Sequence, residues 1–189
     1  MGSTSIQFSE FRNKKILITG ASTGIGAELA KAFTKQGAIV GLHYLSSEDA
    51  AKTVASDIRG EGGRIELIKA DASDSEAMAG AVREAAEVLG GLNGLINNAG
   101  GMVRRVPYAE VTNKDYDEIM DLNARSIVVS SKEALPFLKE QGGFIINTTS
   151  IAARNGASGG AGMYGSSKAF VSNVTRGMAK EWIEFGIRV

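Results

Sequence analysis

The sequence contains no cysteine and a single histidine, His43. The first absence removes disulfides, thiolate metal sites and cysteine nucleophiles; the second removes any histidine cluster. An excess of charge is also missing, because 21 Lys and Arg balance 21 Asp and Glu. No overall basic field exists to hold nucleic acid or an anionic membrane, and a small molecule is the expected ligand. Apolar runs fall well short of the roughly 18 to 20 residues that a membrane helix needs. The opening MGSTSIQFSEFRNKK lacks the apolar centre of a signal peptide, and Ile6 stands where a myristoylation motif takes Ser or Thr. These features lead us to expect a cytoplasmic protein whose residues 1–189 form one domain around one core.

What is present is an alternation of β-branched runs with amphipathic stretches. KILIT, AIVGLHY, RIELIKA, GLINN and GFIINTT read as strands, separated by helical patterns over residues 25–36, 47–59, 75–89 and from about 112 to 131, extending to 139. Such alternation predicts an α/β fold, a doubly wound parallel sheet with helices on both faces. A last helix is expected over 163–185 with Gly186 as its stop, and IRV then reads as a sixth strand cut short. The NGASGGAG patch before Tyr164 suits a mobile loop.

ILITGASTGIG places Gly20, Gly24 and Gly26 directly after the first strand and at the start of the first helix. Glycines there permit a tight turn and close approach of backbone to a pyrophosphate, at a helix end rich in unpaired N–H groups. Ser22 and Thr23 add hydroxyl donors, and Ile25 lies between the last two glycines. The same glycines also suit a plain packing turn; the strand–loop–helix context favours dinucleotide binding. LINNAG sets Asn97, Asn98, Ala99 and Gly100 at the carboxyl end of the fourth strand, and KADASD sets Asp71 and Ala72 after the third, both edges where open parallel sheets bind ligands. Each also reads as an ordinary strand-ending turn.

Tyr164 and Lys168 are four positions apart in GMYGSSKAF, so on a helix at about 100° per residue they share a face. A phenol, with a pKa of about 10, is a poor acid or base at neutral pH, and a cation held close favours the phenolate. Ser150 ends the fifth strand, where its hydroxyl can donate to a carbonyl oxygen gaining charge. Asn123 lies inside a helical pattern where asparagine is not an especially good helix former.

Together, TGASTGIG, NNAG, Asn123, Ser150 and the Tyr164/Lys168 pair resemble the classical short-chain dehydrogenase/reductase pattern in order and approximate spacing, from about residue 14 to 189. The resemblance implies an NAD(P)-dependent oxidoreductase, with Tyr164 as general acid/base, Ser150 polarising the substrate carbonyl, Lys168 tuning the tyrosine and binding ribose, and Asn123 supporting a proton relay. It implies cofactor contacts from the glycine loop, Asp71, Ala72, Asn98, Ala99 and Gly100, no metal, and a homodimer or homotetramer through helices near 112–139 and 163–185. The 3-oxoacyl-acyl-carrier-protein-reductase-like and sugar-dehydrogenase-like branches are the most similar. The other reading is a non-catalytic dinucleotide-binding module or an inactive piece of a longer reductase, since the family's usual carboxyl-terminal segment is lacking. Two departures stand out: Asn93 where many relatives have Asp, and one extra residue between Ser150 and Tyr164.

Nucleotide choice should rest at the end of the second strand, where an acidic residue binds a 2′-hydroxyl and repels a 2′-phosphate. Tyr44 holds that place, followed by Leu45, Ser46 and Ser47. With no carboxylate there, NADP is the expected cofactor and NAD the alternative, although neither Thr23 nor Leu45 is the basic residue that NADP-using relatives often carry. Arg104 and Arg105, after the fourth strand, read as an exposed loop pair or as a greeting for an anionic substrate.

Overall fold

The computed structural model describes residues 8–140 and 142–189; the Met1–Ile6 stretch read for targeting motifs lies outside them. Six strands form one parallel sheet: β1 (Lys15–Ile18), β2 (Ile39–Tyr44), β3 (Arg64–Lys69), β4 (Gly94–Asn97), β5 (Gly143–Asn147) and β6 (Ile187–Arg188), in the spatial order β3-β2-β1-β4-β5-β6. The chain therefore leaves β1 in one direction and returns past it to build the other half, opening a crevice beyond the carboxyl ends of β1 and β4.

Period-two alternation divides each strand between two cores. Leu17, Leu95 and Ile145 meet α3 (Ser75–Leu89) and α5 (Ser126–Lys139), while Ile16, Ile18, Val40, Leu42 and Ile96 meet α1 (Gly24–Lys35) and α2 (Glu48–Gly60). Burial on both faces explains why the strands read as continuous apolar runs. Asn93, the departure from Asp, accepts a hydrogen bond from Lys15 N at 3.0 Å and so still ties β1 to β4.

Helix starts follow side-chain chemistry. Asp74 Oδ1 accepts from the Glu76 and Ala77 amides to open α3. Thr112 and Asp115 form a reciprocal capping box at α4 (Asn113–Met120). The helix expected from about 112 to 139 is present but interrupted: Asp121–Arg125 form a π-turn between α4 and α5. A one-turn helix, α6 (Ala152–Asn155), follows β5, and α7 (Gly162–Trp182) tightens into a 3₁₀ turn over Ile183–Phe185 before Gly186 at φ 70°. β6 is two residues long, pairing with β5 at Gly143 and Phe144. Among the described residues no helix is long and apolar enough to cross a membrane.

Candidate active site

The crevice is knitted from two loops that are far apart in sequence. Thr19, 2% exposed, directly follows β1, and its Oγ1 accepts from the backbone N–H groups of Asn98 (3.0 Å) and Ala99 (2.9 Å). Asn98 Nδ2 returns the bond by donating to the carbonyls of Thr19 and Gly20, both at 2.9 Å. Gly26 lies beneath this junction: a Cβ there would stand 2.4 Å from Gly20 O and 2.6 Å from Asn98 Nδ2. Gly24 has a different need, a positive φ of 56° with open space around it. Neither glycine lines the cleft; both shape the loop that does. The first turn of α1 carries no acidic residue, and Thr23 makes no side-chain cap to its amide groups.

The resulting open cleft, of about 450 Å³, is floored by Gly20, Ser22, Thr23 and Ile25. Asp71 and Ala72 line it after β3, and Asn98, Ala99 and Gly100 after β4. Asp71 Oδ1 is held by the Ser73 amide at 2.8 Å and hydroxyl at 2.7 Å. Leu122, Thr148 and Thr149, which sequence reasoning passed over, also line the cleft; only their neighbours in folded space mark them.

At the end of β2 the side chains divide. Tyr44 touches the cleft but is only 7% exposed and packs in the core under α1 and α2, whereas Leu45, Ser46 and Ser47 are exposed at the rim. His43 is 2% exposed, and its Nδ1 accepts from Gly20 N at 3.1 Å, which fixes the neutral tautomer with the proton on Nε2. That Nε2 is buried beside the cleft with no hydrogen-bond partner among the described residues. Burial pushes the imidazole down to about 4, against weaker support for the cation from the Ala70 backbone and the Asp71 charge.

Tyr164 and Lys168 reach the far end of the same cleft from successive turns of α7. Lys168 is 3% exposed, its Nζ donates to the Thr148 carbonyl at 3.0 Å, and no carboxylate pairs with it among the described residues. Desolvation holds its pKa below the ordinary lysine value. Asn123 lies in the π-turn, completely buried. Its two amide protons go to the carbonyls of Gly101 (2.8 Å) and Ile119 (3.0 Å), while Oδ1 accepts from Gly101 N at 2.9 Å. The side chain thereby grips the loop after β4. A Cβ on Gly100 would meet Asn123 Oδ1 at 2.8 Å and Lys168 Nζ at 3.0 Å, so three expected site residues close on one point.

Ser150 stands outside the large cleft and lines two other cavities, one of about 360 Å³ with Met102, Arg105, Ile151 and Asn155, and one of about 510 Å³ with Thr149, Arg154 and Arg176. Its Oγ accepts from Ala152 N at 3.2 Å, leaving the O–H to donate elsewhere. Tyr164 is the residue that borders both the cleft and the smaller of these two cavities. Asn97 is absent from both and belongs to the core, bonded to Ser130, Ser131 and Asn147.

Comparison with known proteins agrees with this architecture. The chain is 36% identical over 179 residues to meso-2,3-butanediol dehydrogenase of Serratia marcescens, covering 95% of this chain and 69% of that one. Its fold superposes on the crystal structure of the NADH-dependent reductase A1-R′ complexed with NAD, with a TM-score of 0.92, 34% identity and coverage of 95% and 77%. It also superposes on a short chain dehydrogenase from Burkholderia cenocepacia in complex with NADP, with a TM-score of 0.90, 36% identity and coverage of 95% and 72%. The chain spans 57% to 71% of the length of the curated relatives it matches most strongly. A profile of the family described as short chain dehydrogenase matches residues 14–189, and the chain belongs to that family.

Proposed function

We propose that the protein moves a hydride between a nicotinamide dinucleotide and a carbonyl or alcohol substrate, with Tyr164 as general acid/base. The observation that carries this reading is the position of Tyr164, on the boundary between the long cleft and the smaller cavity that Ser150 lines. A residue that touches both can pass a proton to a substrate whose carbon faces the other molecule.

The residues fit the dinucleotide. The first-turn amides of α1, which Thr23 does not cap, suit a pyrophosphate, and Gly20, Ala99 and Gly100 let a flat ligand approach backbone. When bound, the nicotinamide accepts or supplies the hydride. The protein does the rest. In the reductive direction the Ser150 O–H donates to the carbonyl oxygen as it gains negative charge, and Tyr164 delivers the proton that completes the alcohol. Lys168, one turn further along α7, is a buried cation that favours the phenolate left behind and, by the family resemblance, holds a ribose hydroxyl. Asn123 acts as a positioning residue, fixing Gly101 and with it the wall against Lys168; its support for a relay runs through that loop, since both its amide protons are spent.

We read the nucleotide as NADP with NAD as the alternative, because the rim after β2 offers the Ser46 and Ser47 hydroxyls and no carboxylate. The same reading seats a second copy along α4, α5 and α7. Tyr164→Phe tests the chemistry. The variant should bind NADPH and NADH like the parent, followed by nicotinamide fluorescence, while turnover falls by about 10² to 10⁴. Unchanged turnover would sink the assignment of Tyr164, and a parent protein that binds neither nucleotide would sink the cleft.

A further inference from the structure

Of the two cavities that Ser150 lines, the one that Tyr164 also borders has a single charged residue in its wall, Arg105. Its neighbour Arg104 is committed elsewhere, paired with Asp115 and Glu118 at α4, and this anchors one end of the loop that follows β4. Arg105 has no carboxylate partner among the described residues. Its hydrogen bonds run from Nη1 to the carbonyls of Ser158 (3.4 Å) and Gly159 (3.1 Å), leaving Nε and Nη2 uncommitted.

Although Arg105 is exposed, its backbone is not a loose tip. Val106 N donates to Gly160 O at 2.8 Å, and a Cβ on Gly160 would stand 2.9 Å from Val106 N and 3.2 Å from the Arg105 carbonyl carbon. Two loops are thus clamped together beside Arg105, a residue of the cavity wall. The remaining wall is small or apolar, apart from Ser158 and Asn155, whose Oδ1 is occupied by the Ala157 amide at 3.0 Å. A cavity of about 360 Å³ whose wall combines Ser150 and Tyr164 with a cation that no carboxylate of the described residues pairs offers a partner to each end of a small molecule with two oxygen functions.

We infer that the substrate is a small oxo acid, with its ketone or aldehyde at Ser150 and Tyr164 and its carboxylate at Arg105. This rests on the reading of Ser150 and Tyr164 given above. A guanidinium recognises a carboxylate through two parallel N–H donors, and a neutral isostere leaves those donors without a partner. Arg105 is then the residue that sets specificity, while Arg104 holds the loop.

The test compares three substrates of matched length with the whole protein: an oxo acid, its methyl ester and a phosphorylated ketone. The parent should prefer the acid, and Arg105→Met should collapse the acid-over-ester preference by about 30- to 100-fold, chiefly through KM. Arg105→Lys should recover part of it, and unaltered NADPH affinity in both variants shows that the fold is intact. A preference unchanged in Arg105→Met, or a parent that favours the ester, overturns the inference. A parent that favours the phosphorylated ketone overturns the carboxylate in favour of phosphate. Should the parent reduce no carbonyl compound, the assignment of Tyr164 fails by itself, and the anion site is read separately by calorimetry with a non-reducible dicarboxylate on the NADP-bound protein. Binding that is lost in Arg105→Met sustains the site; equal binding, or none in the parent, removes it.

Discussion

Thr19 and Asn98 hold each other in both directions: Thr19 Oγ1 accepts from Asn98 N at 3.0 Å, and Asn98 Nδ2 donates to the Thr19 carbonyl at 2.9 Å. The edges of β1 and β4 are thereby locked together under the cleft. Thr19→Val keeps the shape and removes the oxygen, orphaning the Asn98 and Ala99 amides. The expected cost is about 2 to 4 kcal/mol, read by denaturant titration, together with weaker nucleotide binding. A variant as stable as the parent would show that those amides find other partners.

Lys168 sets stability against function. A buried lysine whose pKa is depressed binds its proton less tightly in the folded chain than in the unfolded one. The folded state is therefore penalised at neutral pH, and its stability rises as pH climbs between the lowered value and 10.5. Lys168→Met removes the penalty. Without nucleotide the variant should melt higher than the parent and lose that alkaline dependence, while turnover drops about 10²- to 10⁴-fold. A lower melting temperature would mean that the Thr148 contact outweighs the burial of charge.

His43 makes the opposite end of the cleft sensitive to acid. Its pKa falls from 6.5 to about 4 on folding, so the unfolded chain takes up more protons between those values. Stability is fully present above about pH 6.5 and declines as pH falls toward 4, by on the order of 3 kcal/mol. Asparagine presents an oxygen where Nδ1 accepts from Gly20 and does not titrate. His43→Asn should therefore flatten this part of the stability–pH curve while keeping nucleotide affinity; a slope that persists would place its origin in another group.

Much of this was legible in the chain. Buried parallel strands leave unbroken β-branched runs, and the glycine spacing and the Tyr164/Lys168 interval are local signals that need no folded context. The illegible parts are contacts across long separations. Nothing near Thr19 announces Asn98, and Asn97 looked like a cleft residue until Ser130 and Ser131 were seen to claim it. Tyr44, which both lines the cleft and packs in the core, is hard to place for a related reason. β2 is buried on both faces, so alternation does not say which of its last side chains turns toward ligand and which toward core. The π-turn left only the weak hint of an asparagine in a helix.

That turn makes one rod answer to two masters. Asn123 within it, like Asp115 and Glu118 upstream, must aim at the loop after β4; downstream, Ser130 and Ser131 must point at Asn97 in the sheet. Each residue of an α-helix advances the side-chain direction by about 100°, and the wider turn supplies the angular offset between the two tasks. Deleting a single residue within 121–125 would reset the phase, so that the chain keeps its sheet contacts or its grip on Gly101, but not both. A change that makes the helix more regular would thus be a loss-of-function mutation with no missing catalytic group, and random screens for helix-stabilising substitutions here should return inactive proteins that fold well.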